Sequence, residues 1–153
     1  MRIEKGFTLV EILIVVVILG ILAAIVIPQF TGASTEAKES SLMSDLQAVR
    51  SQVELYKIQH NDNLPGTDSS GDFITAMTTQ TDQDGVAGGR FGPYMQKIPP
   101  NPFSTADVTT NLVDTDGTLG DDSHHWWFST TTGEFRADDD GVNAVTSEAH
   151  STY

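Results

Sequence analysis

The residues able to act on a substrate or hold an ion are few. Asp121, Asp122, His124 and His125 stand together. Carboxylates beside imidazoles are donors for a divalent metal, and one imidazole with an aspartate makes a general base. Neither chemistry is completed, because no convincing nucleophile or companion motif accompanies the four, and a polar loop entering a strand accounts for them. Asp114 with Asp116, and the run Asp138-Asp139-Asp140, offer oxygens of the kind calcium takes, yet none reproduces a twelve-residue EF-hand loop. Gly85, Gly88 and Gly89 are not followed by Gly-Lys-Ser/Thr, so 82–92 reads as a flexible loop rather than a phosphate cradle. Cysteine is absent, which excludes disulfides, thiolate nucleophiles and cysteine-ligated zinc. The chain is expected to be no enzyme, with no resident metal or cofactor assigned.

One acid stands apart. Glu11 lies near the start of Phe7–Ile27, a 21-residue apolar run. As a helix this run spans roughly 30 Å, the hydrocarbon thickness of a bilayer. A carboxylate there costs about 2.5–3.5 kcal/mol on insertion scales and therefore needs a partner. A terminal amine is the best one. Cleavage after Gly6 would create an ammonium at Phe7, and one subunit's Glu11 could neutralise the next subunit's amine; an intrachain pair across one helical turn stays open beside it. A removable signal peptide, with Ala23-Ala24 near its end, fits less well. The apolar stretch is longer than such signals use, and they have no need of an acid.

Several elements must position these groups. Arg2 and Lys5 precede the run and no Lys or Arg comes after it before Glu36, so the positive-inside bias holds the N-terminus in the cytoplasm and exports the chain beyond Pro28. Leu42, Met43, Leu46, Val49, Val53, Tyr56 and Ile58 recur at helical spacing, which predicts an amphipathic helix reaching about His60, where Asn61 to Gly66 supply stop signals. That stripe is expected to pack on the chain's own sheet. Pro28 and Gly32 interrupt the rod and predict a kink or melted turn, or simply the membrane exit.

Beyond the helix, Asp72 caps a predicted short helix over Phe73–Met77. Pro99, Pro100 and Pro102 fix an extended edge crossing. His125–Ser129 and Gly133–Arg136 predict a hairpin in which only one of Trp126 and Trp127 reaches the core. Residues 61–153 hold three Lys/Arg against fifteen Asp/Glu, which disfavours nucleic acid. The tail, 137–153, reads as polar and mobile.

The stretch Lys5-Gly6-Phe7-Thr8-Leu9-Val10-Glu11 resembles the processing motif of type IV prepilins and type II secretion pseudopilins. Phe91-Gly-Pro-Tyr to Asn101-Pro-Phe103 resembles the segment leading into the sheet of major pseudopilins. The resemblance implies an α+β fold, a long N-terminal helix packed on a small antiparallel β-sheet. It divides the chain into a leader (1–6), a transmembrane and polymerisation helix (7–27), an amphipathic helix (28–62), an exported domain (63–136) and the tail. It implies cleavage after Gly6 and N-methylation of Phe7 by a prepilin peptidase. Assembly would run through Phe7 and Glu11, with Pro28 and Gly32 as the kink.

The implied partners are further copies, minor pseudopilins, an inner-membrane assembly platform and, before assembly, membrane lipid. A single pass in the inner membrane would leave the globular domain outside. Major pseudopilins commonly hold one calcium in an acidic loop, which stays open against solvated acidic loops. A surface pilin for adhesion or twitching is the alternative to a secretion pseudopilin. The absence of cysteine favours the pseudopilin, since pilins usually close their C-terminal region with a disulfide.

Overall fold

A computed structural model describes residues 6–153; the expected leader lies outside the described residues except for Gly6. Two compact units are present, Met1–Ala37 and Lys38–Tyr153, and helix α1 (Leu9–Gln59) supplies residues to both. Its assignment is continuous through Pro28 and Gly32, so the melted turn is absent from the single chain. Pro28 still has no N–H to donate, which leaves one carbonyl of the preceding turn without its usual partner.

In the first unit the helix is apolar on every side, and none of its large apolar residues from Leu9 to Ile27 is less than 41 % exposed. In the second unit α1 has one buried face. Leu42, Leu46, Val49, Val53 and Tyr56 are buried at alternating four- and three-residue steps. Met43 and Ile58, expected in the stripe, are exposed instead, because each sits a step off that alternation.

The short helix α2 (Phe73–Thr78) forms as its sequence predicts. Asp72 accepts from the Thr75 amide, satisfying one orphan N–H, while Phe73, Ala76 and Met77 turn inward. Three strands come next: β1 (Val113–Thr115), β2 (Trp126–Phe128) and β3 (Phe135–Ala137), in spatial order β1-β2-β3. The hairpin β2-β3 is antiparallel, with Trp126 opposite Ala137 and Phe128 opposite Phe135. Its turn needs glycine: Gly133 has φ +79°, and a Cβ there would meet Leu64 Cδ2 at 2.8 Å.

The sheet is mixed rather than wholly antiparallel, since β1 pairs parallel to β2. A ten-residue loop from Asp116 to His125 returns the chain to the same end of the sheet, and three-residue strands carry too little alternation to announce this.

The core lies between the inward face of α1, α2 and the sheet. Phe73 packs on Phe128 at 4.5 Å and on Phe135 at 5.5 Å between ring centroids. Trp126 is fully buried and donates its indole N–H to the Pro99 carbonyl at 2.7 Å. Trp127 points to the other face and donates to Gly117, so one tryptophan of the pair is core as the pleat requires. The proline segment crosses beneath, with Ile98 and Asn101 buried.

Two irregular stretches are more ordered than their composition suggests. Thr81 bridges to Ala87 and Phe91, and the Asp82 carboxylate accepts from the amides of Asp84 and Val86, so 82–92 is laced rather than loose. The C-terminal segment also packs: Asp138, Asp139 and His150 are buried, Val142 bridges to Ala149, and His150–Thr152 form a 3-10 turn. Its polar residues find partners inside the domain, which is why a composition typical of disorder does not leave it mobile.

At the end of α1, His60 stacks on Tyr56 at 3.8 Å and bonds Thr81 Oγ1 at 2.9 Å. Tyr94 donates to Gln59 at 2.7 Å. Burial, helped by the Asp68 charge, pushes the Tyr94 phenol up to about 12 from 10.0.

Two outcomes are expected. Trp126→Ala leaves a large cavity and costs about 3–5 kcal/mol, whereas Trp127→Ala loses mainly one hydrogen bond worth about 1 kcal/mol; denaturant unfolding followed by circular dichroism separates them. The fold disfavours the Tyr94 phenolate, so its stability contribution is whole below pH 10.0 and is lost as pH rises to about 12. Phenolate absorbance and unfolding measured across that range should show the loss in the native chain and less of it in Tyr94→Phe.

Candidate processing and assembly site

The sequence-predicted site residues Gly6, Phe7 and Glu11 lie at the start of α1, in the first unit. Gly6 precedes the helix, and a Cβ built there meets nothing within 4 Å. The fold of the chain therefore makes no demand for glycine at this position. Phe7 is 85 % exposed.

Thr8 and Glu11 form a capping box that the motif reading overlooked. Glu11 Oε2 accepts from the Thr8 amide and hydroxyl, each at 2.8 Å, and the Glu11 amide donates to Thr8 Oγ1 at 3.2 Å. The signal was available in Thr8-Leu-Val-Glu11, a Thr-x-x-Glu pattern opening an apolar run. All the carboxylate contacts fall on Oε2; among the described residues Oε1 accepts none. The carboxylate is thus held over the first turn, one oxygen on its own helix end and the other without a partner among the described residues.

The surrounding surface is the second half of the site. The apolar window of α1 is wholly unburied by the chain itself, and the helix there is long enough to cross a membrane. Scattered exposed apolar residues are ordinary, but an uninterrupted apolar cylinder of this length requires lipid or other protein against it.

The acid–imidazole residues do not converge. His125 is buried, with Nδ1 accepting from the Asn101 amide and Nε2 facing the Ala106 carbonyl at 3.1 Å. His124 Nδ1 meets Ser123 Oγ at 2.9 Å. Asp121 takes the Ser123 amide, and Asp122 takes the amide and hydroxyl of Thr105. Asp116 takes the hydroxyl and amide of Thr130, which hold its carboxyl below the usual carboxylate value. Burial pushes Asp138 up, against the opposing amides of Gly120 and His124.

Among the described residues, no three His, Asp or Glu side chains gather as a metal site. Asp116, Asp121, Asp122 and Asp138 each accept N–H or O–H donors of the chain itself.

Residues 1–27 match the family described as the prokaryotic N-terminal methylation motif. The chain is similar to the type II secretion system core protein G of Vibrio cholerae, at 34 % identity over 103 residues covering 67 % of this chain and 68 % of that protein. The same protein of Pseudomonas aeruginosa matches at 34 % over 102 residues, 67 % and 70 % of the two chains. That of Aeromonas hydrophila matches at 28 % over 137 residues, covering 82 % of this chain and 94 % of that one. No solved structure matches the chain significantly.

A calcium ion would have to displace the N–H and O–H donors that Asp116, Asp121, Asp122 and Asp138 already hold. A bound ion at a hundred times its Kd would add about 2.7 kcal/mol and raise the melting midpoint by several degrees. Excess calcium or a chelator is expected to leave that midpoint unmoved in detergent-solubilised chain; a rise with calcium would place an ion after all.

Proposed function

The chain belongs to the family of the type II secretion system core protein G, and from that premise we propose that it is a structural, non-enzymatic pseudopilin whose copies polymerise through α1 into a helical secretion pseudopilus. The observation that carries this reading is the bare apolar cylinder of α1 with a single carboxylate held at its first turn. Before assembly, lipid covers the cylinder; in the filament, neighbouring helices replace lipid.

In this reading a prepilin peptidase cuts after Gly6 and the new Phe7 amine is N-methylated. The requirement for glycine would then belong to the enzyme's cleft, consistent with the empty space around Gly6. The ammonium of one subunit meets Glu11 of the next. Oε2 continues to cap its own helix through Thr8, and Oε1 receives the neighbour's amine, so one side chain serves helix start and subunit contact at once. Pairing removes two charges from hydrocarbon that would each cost about 2.5–3.5 kcal/mol alone.

The N-terminus faces the cytoplasm, the helix anchors in the inner membrane, and the domain from Lys38 onward lies outside. Other copies, minor pseudopilins and an inner-membrane assembly platform are the partners. Pro28 and Gly32 are the place where α1 yields on assembly, since the proline has already removed one hydrogen bond from that turn.

Intact-mass and N-terminal analysis of chain extracted from its native membranes should give a protein beginning at N-methylated Phe7. Glu11→Ala leaves the neighbour's ammonium unpaired and should reduce filaments seen by electron microscopy by about tenfold or more. A chain still beginning at Met1, or a variant that assembles normally, would sink the reading.

A further inference from the structure

The C-terminal segment is held by a buried charge cluster that the assembly function does not use. His150 is fully buried, and its ring lies between two carboxylates: Nδ1 is 2.6 Å from Asp139 Oδ1 and Nε2 is 3.2 Å from Glu39 Oε1. These carboxylates come from distant parts of the sequence, Glu39 from α1 and Asp139 from just beyond β3.

Each carboxylate is further supplied with donors. Asp139 accepts from Asn101 Nδ2 at 2.6 Å and the Gly141 amide at 3.0 Å; Glu39 accepts from Asn143 Nδ2 at 3.0 Å and the Ala144 amide at 3.2 Å. Phe103 covers the ring at 4.4 Å, and Lys38 Nζ sits 5.6 Å from the Phe103 centroid. The Tyr153 ring is 6.1 Å away. Among the described residues, the charged groups that touch the imidazole are the two carboxylates.

A neutral imidazole has one N–H and can donate to one of these carboxylates; only the imidazolium donates to both. Two buried carboxylates without a cation between them would repel each other at high cost. We propose that Glu39, His150 and Asp139 form an ionic latch, closed by a doubly protonated His150, which reversibly clamps the strap 138–153 onto α1. The chain has no cysteine, so this clamp does without a covalent bond what a disulfide would do permanently. The core's aromatic contacts between α2, β2 and β3 do not involve it, and beyond the latch the strap is tied to α1 where the Tyr153 carbonyl accepts from Arg50.

Ring-nitrogen NMR shifts on the full chain in detergent micelles test the charge directly. Both nitrogens are expected to carry a proton while the strap amides are protected; a singly protonated ring with the strap still docked would overturn the latch. His150→Gln keeps a donor and removes the charge. Amide exchange across Gly141–Tyr153 should then quicken by about a hundredfold while Val49 and Phe128 stay protected. Unchanged strap protection would overturn the proposal. If His150→Gln does not fold, Glu39→Gln, which keeps shape and an acceptor, takes its place with the same two readings, and the ring measurement on the unaltered chain decides independently.

Discussion

The alternation of four- and three-residue steps along α1, from Glu39 through Leu42, Leu46, Val49, Val53 and Tyr56 to His60, governs the domain from Lys38 onward. A helix can bury a narrow stripe against a small sheet only if its inward residues return to the same side each turn, and these seven do. The sheet supplies little by itself, having three strands of three residues each. A sheet of that size is not stable alone. It is held because Trp126, Phe128, Phe135 and Ala137 meet the stripe and α2, so the helix is the template on which the rest condenses. Arg50 adds a polar clamp from the same helix, donating to the Phe135 carbonyl from Nε at 2.9 Å and from Nη2 at 2.7 Å.

The two ends of the stripe are polar and buried, and this explains how a loop-rich domain stays ordered. His60 cannot be buried without partners, and it takes the Tyr56 carbonyl and Thr81, which draws the loop after α2 onto the helix end. Glu39 takes Asn143, Ala144 and His150, which draws the C-terminal strap onto the other end. An apolar residue at either place would add burial but would not choose which distant segment sits there. Buried polar groups make that choice, because leaving one unsatisfied is costly.

Legibility in the sequence tracks the range of the interactions. The apolar run, Glu11, the Asp72 cap, the hairpin and the single inward tryptophan depend on neighbours a few residues apart or on the pleat itself. Thr8 belongs with them and was equally readable, since a capping box is a four-residue pattern. Met43 and Ile58 are apolar but out of phase with the stripe and stay exposed, whereas Glu39 and His60 fit the phase and are buried though polar. The parallel strand β1 and the docked strap were not readable. Val113–Thr115 is too short to show a period, and the partners of His150 lie 11 and 111 positions away. The suspected Asp121, Asp122, His124 and His125 cluster dissolves for the converse reason: adjacency in sequence is not convergence in space.

The same distinction accounts for the acidity of the chain. Nine of its fourteen aspartates accept at least one backbone amide: Asp68, Asp72, Asp82, Asp107, Asp116, Asp121, Asp122, Asp138 and Asp139. With so few residues in strands, most amides beyond α1 lack a regular partner, and an aspartate two or three positions away is the nearest acceptor available. The negative charge is in this view a by-product of satisfying irregular backbone without cysteines. It also carries a constraint on assembly. Like-charged copies of the domain from Lys38 onward repel when brought side by side, so the proposed assembly draws its attraction from the apolar span of α1, which the chain itself leaves unburied.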